Sequence, residues 1–186
     1  AYGPKFNRIG FEETLTAAKN HPHWSAPLGP DQGRGIASGF WFNIGFDSAC
    51  NIAVNADGTV TLQEGSTDIG GTRASIAMQA AEVLTLPYEK VHPTVVDTDT
   101  IGFTAVTGGS RTTFATGWAA YEASEDVKRQ MVARAATIWD IYPDSVEMEK
   151  GVVRSKTDSE LKMTFRELAA QLNDTGGPIM GRGTVD

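Results

Sequence analysis

A single cysteine, Cys50, among 186 residues excludes an internal disulfide and any iron–sulfur cluster held by this chain's own thiolates. No apolar run approaches the length of about 18 residues that reads as a membrane span, and no secretory leader is visible. The expectation is a reducing, cytoplasmic setting, with a periplasmic one left open for a processed chain. Positive charge is also in short supply. With 16 Lys and Arg against 23 Asp and Glu the formal charge is -7, which argues against a nucleic-acid surface but leaves room for a small anionic ligand held at contact distance. Common catalytic signatures are missing. The stretch Gly108 to Thr113 lacks the lysine of a P-loop, neither glycine loop reads G-x-G-x-x-G, and no serine elbow, Cys–His pair or cluster of metal ligands is seen. No catalytic residue and no metal ligand is assigned.

What the chain does have is two loops of similar make. Thr107-Gly108-Gly109-Ser110-Arg111-Thr112-Thr113 combines adjacent glycines, hydroxyls and a guanidinium directly before a long helical pattern. Gly65-Ser66-Thr67-Asp68-Ile69-Gly70-Gly71-Thr72-Arg73 repeats the recipe before a second helix. Glycine turns of this kind can point successive N–H groups inward, and the following helix presents its positive end, so each loop can wrap an anion. Two such loops suggest one ligand held between them.

Around the loops the pattern predicts an α+β fold, a mixed sheet with helices packed on one side. Phe11, Leu15 and Ala18 are spaced for a short helix closed by Pro22, and His21 and His23 read as linker residues rather than a zinc site. Gly- and Pro-rich residues 27–35 form a connection in which Arg34 is more simply a loop arginine than a phosphate contact. The aromatic run Phe40 to Phe46 predicts a strand. Cys50, Ile52 and Val54 then alternate, Asn55-Ala56-Asp57-Gly58 turns, and Val60 and Leu62 resume the alternation, which gives a hairpin with Cys50 as a packed thiol. Ile76, Ala80, Val83 and Leu84 mark a helix stopped by Pro87, and residues 91–96 form a strand in which Pro93 favours an edge position or a strand end. Asp97-Thr98-Asp99-Thr100 reads as a hydrogen-bonded turn.

The main helix covers residues 114–142, a second short hairpin covers 146–153, and residues 161–163 supply a last strand before a helix opened by the capping box Thr164-Phe165-Arg166-Glu167. The run Gly181 to Asp186 is glycine-punctuated and shows no terminating element, so the chain reads as a segment of a longer protein or a processed product. Residues 1–32 are taken as an N-terminal helix and connecting loop, and 33–186 as one structural unit. Residue chemistry alone leaves open a cofactor cradle, a non-catalytic nucleotide or phosphate module, and a structural assembly domain.

The order and spacing of Arg34-Gly35-Ile36-Ala37, the hairpin, Gly65 to Thr72, Leu86-Pro87, Asp97 to Thr100 and Thr107 to Thr113 resemble the molybdopterin-binding large subunit of the xanthine dehydrogenase and aldehyde oxidase family of molybdenum hydroxylases. The resemblance implies a cofactor, molybdopterin or its cytosine dinucleotide, buried between two domains. By position, Gly70, Gly71 and Thr72 line one side of the pterin or its phosphate, and Gly108, Gly109, Ser110, Arg111, Thr112 and Thr113 the other; Arg73 is a weaker candidate. It also implies hydroxylation of an aldehyde or N-heteroaromatic carbon with water as oxygen source. The partners implied are the rest of the large subunit, iron–sulfur and flavin (FAD) domains or subunits, and a small-molecule substrate. Many members have a glutamine between the two glycines of the first loop, which are adjacent here, and the family's catalytic glutamate lies in a motif nearer the C-terminus than this segment reaches.

Overall fold

Asn55-Ala56-Asp57-Gly58 turns the chain as its composition predicts: Gly58 takes φ +82° and the Asp57 carboxylate accepts from the Thr59 N–H at 2.9 Å. This is seen in a computed structural model that describes residues 7–39, 41 and 43–186. The turn joins β1 (Ser48–Val54) to β2 (Val60–Glu64), paired antiparallel with Ile52 opposite Leu62. The chain divides into two compact units, Ala1–Trp41 and Phe42–Asp186. The first contains α1 (Phe11–Asn20) and the one-turn α2 (Pro22–Ser25); within it Arg34 donates to the carbonyls of Trp24 and Ala26 at 2.6 and 3.0 Å, a local strut.

In the second unit β2 leads through the first glycine loop into α3 (Thr72–Leu84), which crosses over to β3 (Val91–Val95), parallel to β2. Ile76, Ala77, Ala80, Ala81 and Leu84 are buried along one face of α3, and Thr85 in a left-handed conformation closes it before Pro87. β3 is an edge strand, where the missing N–H of Pro93 is tolerated. Asp97 then caps the one-turn α4 (Thr98–Ile101), accepting from the Asp99 N–H at 2.9 Å, so the Asp–Thr run is the hydrogen-bonded turn expected.

The second glycine loop opens not directly into an α-helix but into a π-helical turn, Thr112–Thr116, followed by α5 (Gly117–Trp139). Beyond it come the antiparallel strands β4 (Val146–Glu149), β5 (Val152–Ser155) and β6 (Lys162–Thr164), which form a sheet of their own. α6 (Phe165–Ala170) follows, opened by the Thr164–Glu167 capping box.

Two expectations need correcting. The residues after Pro178 form β7 (Met180–Val185), which pairs antiparallel with β1 and completes a mixed sheet ordered β3-β2-β1-β7. Its glycines, which weaken a strand by propensity, are required here: a Cβ on Gly181 would strike the Ala123 carbonyl of α5, and one on Gly183 the Ala119 carbonyl. The helix therefore lies directly on bare strand backbone. The aromatic run, in contrast, is not a strand at Trp41 or at residues 43–46; Phe40 and Phe42 lie outside the described residues. The backbone of residues 45–47 is held instead by a side chain from the second glycine loop, described below.

The α+β assignment holds. α3 and α5 cover one face of the mixed sheet, and a single core joins Cys50, Ile52, Val60 and Leu62 to α3 and α5 and on to Val146, Val153, Phe165 and Leu168. Each fully buried aliphatic side chain among these contributes about 1.5–3 kcal/mol relative to exposure. Cys50 is packed as expected, and burial, reinforced by the nearby charge of Glu64, pushes its thiol pKa up.

Candidate functional site

Both glycine loops leave the same end of this core, and each is built differently. In the first, β2 ends at Glu64, whose side chain follows Val60 and Leu62 onto the buried face. It is 1% exposed and accepts the Ser66 N–H at 2.5 Å. Burial, with the nearby Asp68 charge, raises its pKa against the opposing pull of the Ser66 N–H and Arg73. Gly70 and Gly71 take φ values of +105° and +107°, open to glycine at no steric cost, and a Cβ at either would meet nothing within 4 Å.

The sequence aimed the N–H groups of Gly70, Gly71 and Thr72 at a ligand. In the structure they converge on Asp68, whose Oδ1 accepts from them at 3.0, 2.7 and 3.1 Å. The carboxylate thus sits at the positive end of α3, where an anion is stabilised. Those N–H groups, Gly71 first, hold its pKa below the usual carboxylate value, with Arg73 adding a weaker pull from 3.6 Å.

In the second loop Gly109 and Ser110 are consecutive left-handed residues at φ +62° and +56°. Their carbonyls are taken from outside, by the Ile44 N–H at 3.0 Å and the Asn43 side-chain amide at 2.9 Å. Arg111 turns inward. Fully buried, it donates from Nε to Gly45 O at 2.7 Å, from Nη1 to Ala105 O at 2.9 Å, and from Nη2 to Asp47 O at 2.8 Å and to Ser48 Oγ. Burial lowers its pKa, Asp47 opposing, yet a guanidinium stays charged in proteins. The arginine that looked like an anion contact therefore bolts residues 45–48 to the loop.

Thr112, 2% exposed, contrasts with its neighbour Arg111. Its Oγ1 is the buried side-chain polar atom without a partner among the described residues. An orphaned buried hydroxyl costs about 1–3 kcal/mol and calls for an explanation. Above Gly108, too, a Cβ would meet nothing within 4 Å, whereas at Gly109 it would press on Ile44 Cγ2 at 2.5 Å.

The loops are joined at their bases. Ser66 Oγ of the first lies 2.5 Å from Thr116 Oγ1 of the turn after the second, and Thr116 Oγ1 lies 3.0 Å from Ser48 Oγ, which receives Arg111. At the surface the Gln79 amide of α3 donates to the Thr113 carbonyl at 3.2 Å. Beside Thr113 an apolar groove of about 650 Å³ runs between α3 and α5, walled by Met78, Val83, Phe114, Trp118 and Tyr121. No group of three or more potential metal-ligating His, Cys, Asp or Glu occurs among the described residues, nor any helix long and apolar enough to cross a membrane.

Sequence reasoning missed Glu64, Ser48 and Gln79, and placed Ser66 in the first loop without its tie to the second. Only Glu64 left a local signal, since the two-residue alternation from Val60 and Leu62 puts it on the buried face.

The fold that carries these two tied glycine loops matches known proteins. The profile of the molybdopterin cofactor-binding domain matches residues 11–186. The chain belongs to that family. Among relatives, the probable hypoxanthine oxidase XdhD of Escherichia coli K12 is 30% identical over 196 residues, covering 97% of this chain and 20% of that protein. This molybdopterin-binding chain thus spans about a fifth of the length of the curated relatives it matches. Among solved structures, CO dehydrogenase from Oligotropha carboxidovorans superposes with a TM-score of 0.69 at 25% identity, covering 76% of this chain and 18% of that one. Quinoline 2-oxidoreductase from Pseudomonas putida 86, at 19% identity and TM-score 0.62, covers 75% of this chain and 19% of its own and shares the fold. The chain is therefore a molybdopterin-binding domain of the molybdenum hydroxylase type.

Proposed function

We propose that this domain forms one wall of the cofactor cradle in a molybdenum hydroxylase that oxidises an aldehyde or N-heteroaromatic carbon with water as the oxygen source. The observation that carries the reading is the buried Thr112 hydroxyl, unpartnered among the described residues, beside a buried Arg111 whose side-chain nitrogens are all partnered. A pterin or phosphate oxygen at Thr112 supplies what that hydroxyl lacks. The bare backbone over Gly70, Gly71 and Gly108 gives a flat ring or a phosphate room to approach. Gly70, Gly71 and Thr72 line one side and Gly108, Gly109, Ser110, Thr112 and Thr113 the other, with Arg111 holding the second side in shape. When bound, molybdopterin or its cytosine dinucleotide supplies the metal centre through which a carbon is oxidised and water-derived oxygen is taken up. This chain's own part is to bind and orient it.

In this reading residues 1–32 are an N-terminal helix and connection, and 33–186 are part of the molybdopterin-binding domain. The catalytic glutamate, the iron–sulfur and FAD sites and most of the substrate pocket belong to other parts of a longer cytoplasmic enzyme, and the 186-residue chain alone is inactive.

Thr112→Val in the full-length enzyme tests the reading. Replacing a hydroxyl that bonds the cofactor lowers cofactor retention roughly fivefold to tenfold, seen as molybdenum per folded molecule. An unchanged molybdenum content, with a gain in stability from removing an orphaned hydroxyl, would favour a purely structural domain. Calorimetry with molybdopterin cytosine dinucleotide against ATP separates the cofactor cradle from a general phosphate module, which binds both.

A further inference from the structure

We propose that Ser48, Ser66, Gln79 and Thr116 are positioning residues that lock the two glycine loops to each other, so that a ligand ordering one loop orders both. The ligand consequence rests on the cradle reading above; the mechanical coupling does not.

The first tie is buried. Ser48, Ser66 and Thr116 are 1%, 2% and 0% exposed, and their hydroxyls stand in line with the Arg111 guanidinium. A guanidinium only donates, and each hydroxyl has one proton to give and lone pairs to receive. Arg111 donates to Ser48, and because each hydroxyl has two lone pairs as well as its proton, the Ser48–Thr116 and Thr116–Ser66 bonds can form with either partner donating. The line ends beside Glu64, which fixes the Ser66 backbone N–H at 2.5 Å. Removing the middle member leaves two buried hydroxyls, Ser48 beside Arg111 and Ser66 of the first loop, each short of a partner.

The second tie is at the surface and involves different atoms. Gln79 lies across Gly117, where a Cβ would strike its side-chain amide, and from there reaches the Thr113 carbonyl at 3.2 Å. The helix that the first loop opens is thereby fastened to the turn that the second loop opens. The two ties grip the π-helical turn Thr112–Thr116 at two points within it, Thr113 and Thr116. Movement of that turn is transmitted to Ser66 and α3 together.

Hydrogen exchange on the intact protein, read by peptide, tests this with or without cofactor. Thr116→Val is expected to speed exchange about fivefold to tenfold both at residues 107–116 and at 65–72, and Thr116→Ser to restore both. Gln79→Ala, a surface change that leaves the core alone, is expected to give a smaller rise of about twofold to threefold at both loops. Faster exchange at 107–116 with 65–72 unchanged, in either variant, overturns the coupling; so does failure of Thr116→Ser to restore it. Because cofactor-free protein gives the same answer, a negative result here leaves the Thr112 reading standing, and the reverse.

Discussion

In the loop before α3 the backbone donors turn inward onto the protein's own Asp68, while in the loop before α5 the carbonyls are taken by Asn43 and Ile44 and a threonine hydroxyl is left over. The ingredients are almost the same: paired glycines, hydroxyls and an arginine. The difference is one acidic residue just ahead of the glycines. Asp68 gives the first loop an internal anion, so it is self-sufficient; the second has no carboxylate there and draws its stability from Arg111, sixty-odd residues away from the carbonyls of Gly45 and Asp47 that it holds. A glycine loop before a helix is therefore not by itself a vacant anion site. Whether it is depends on what already faces its N–H groups.

The strongest way to break the comparison is Arg111→Leu. It strips the donors from the Gly45, Ala105 and Asp47 carbonyls at once and should cost about 3–5 kcal/mol, read by urea denaturation. Arg111→Lys should recover only part of that, because a point ammonium cannot serve acceptors on several sides of a planar fork. Next comes a matched pair of alanines. Gly109→Ala adds contact with Ile44 to the left-handed strain and should cost about 2–4 kcal/mol, whereas Gly71→Ala meets open space and should cost only the backbone strain, about 1–2 kcal/mol. Equal losses at the two positions would show that the loops are backed alike.

The smallest effects separate the two carboxylates of the first loop by pH. Asp68 has a lowered pKa, so its stabilisation is complete above its ordinary value of 3.8 and disappears as pH falls through the depressed folded value. Glu64 has a raised pKa, so folding is favoured by it below its ordinary value of 4.5 and progressively penalised as pH rises through the raised folded value. Asp68→Asn should flatten the acid side of the stability curve. Glu64→Gln should instead remove the loss on the rising side while keeping a group that can accept the Ser66 N–H. If both variants shift the curve in the same sense, the opposite roles assigned to the two acids are wrong.

Much of the frame is legible in the residues alone because its causes are local. The Asn55 to Gly58 turn, the alternation that buries Ile52 and Leu62, the Pro87 stop, Pro93 on an edge strand and the Thr164–Glu167 capping box each follow from a few neighbouring side chains. The order and spacing of the motifs from Arg34 to Thr113, the two loops among them, point to the family. What only the tertiary structure decided is where long-range partners come from. Gly181 and Gly183 argue against a strand until α5 is seen to need their missing side chains. The aromatic segment through Phe46 favours a strand until Arg111 takes the carbonyls of residues 45 and 47. And no local pattern distinguishes the loop that satisfies itself from the one that leaves Thr112 waiting, because hydrogen-bonding groups are common to both and only the folded chain determines which of them meet.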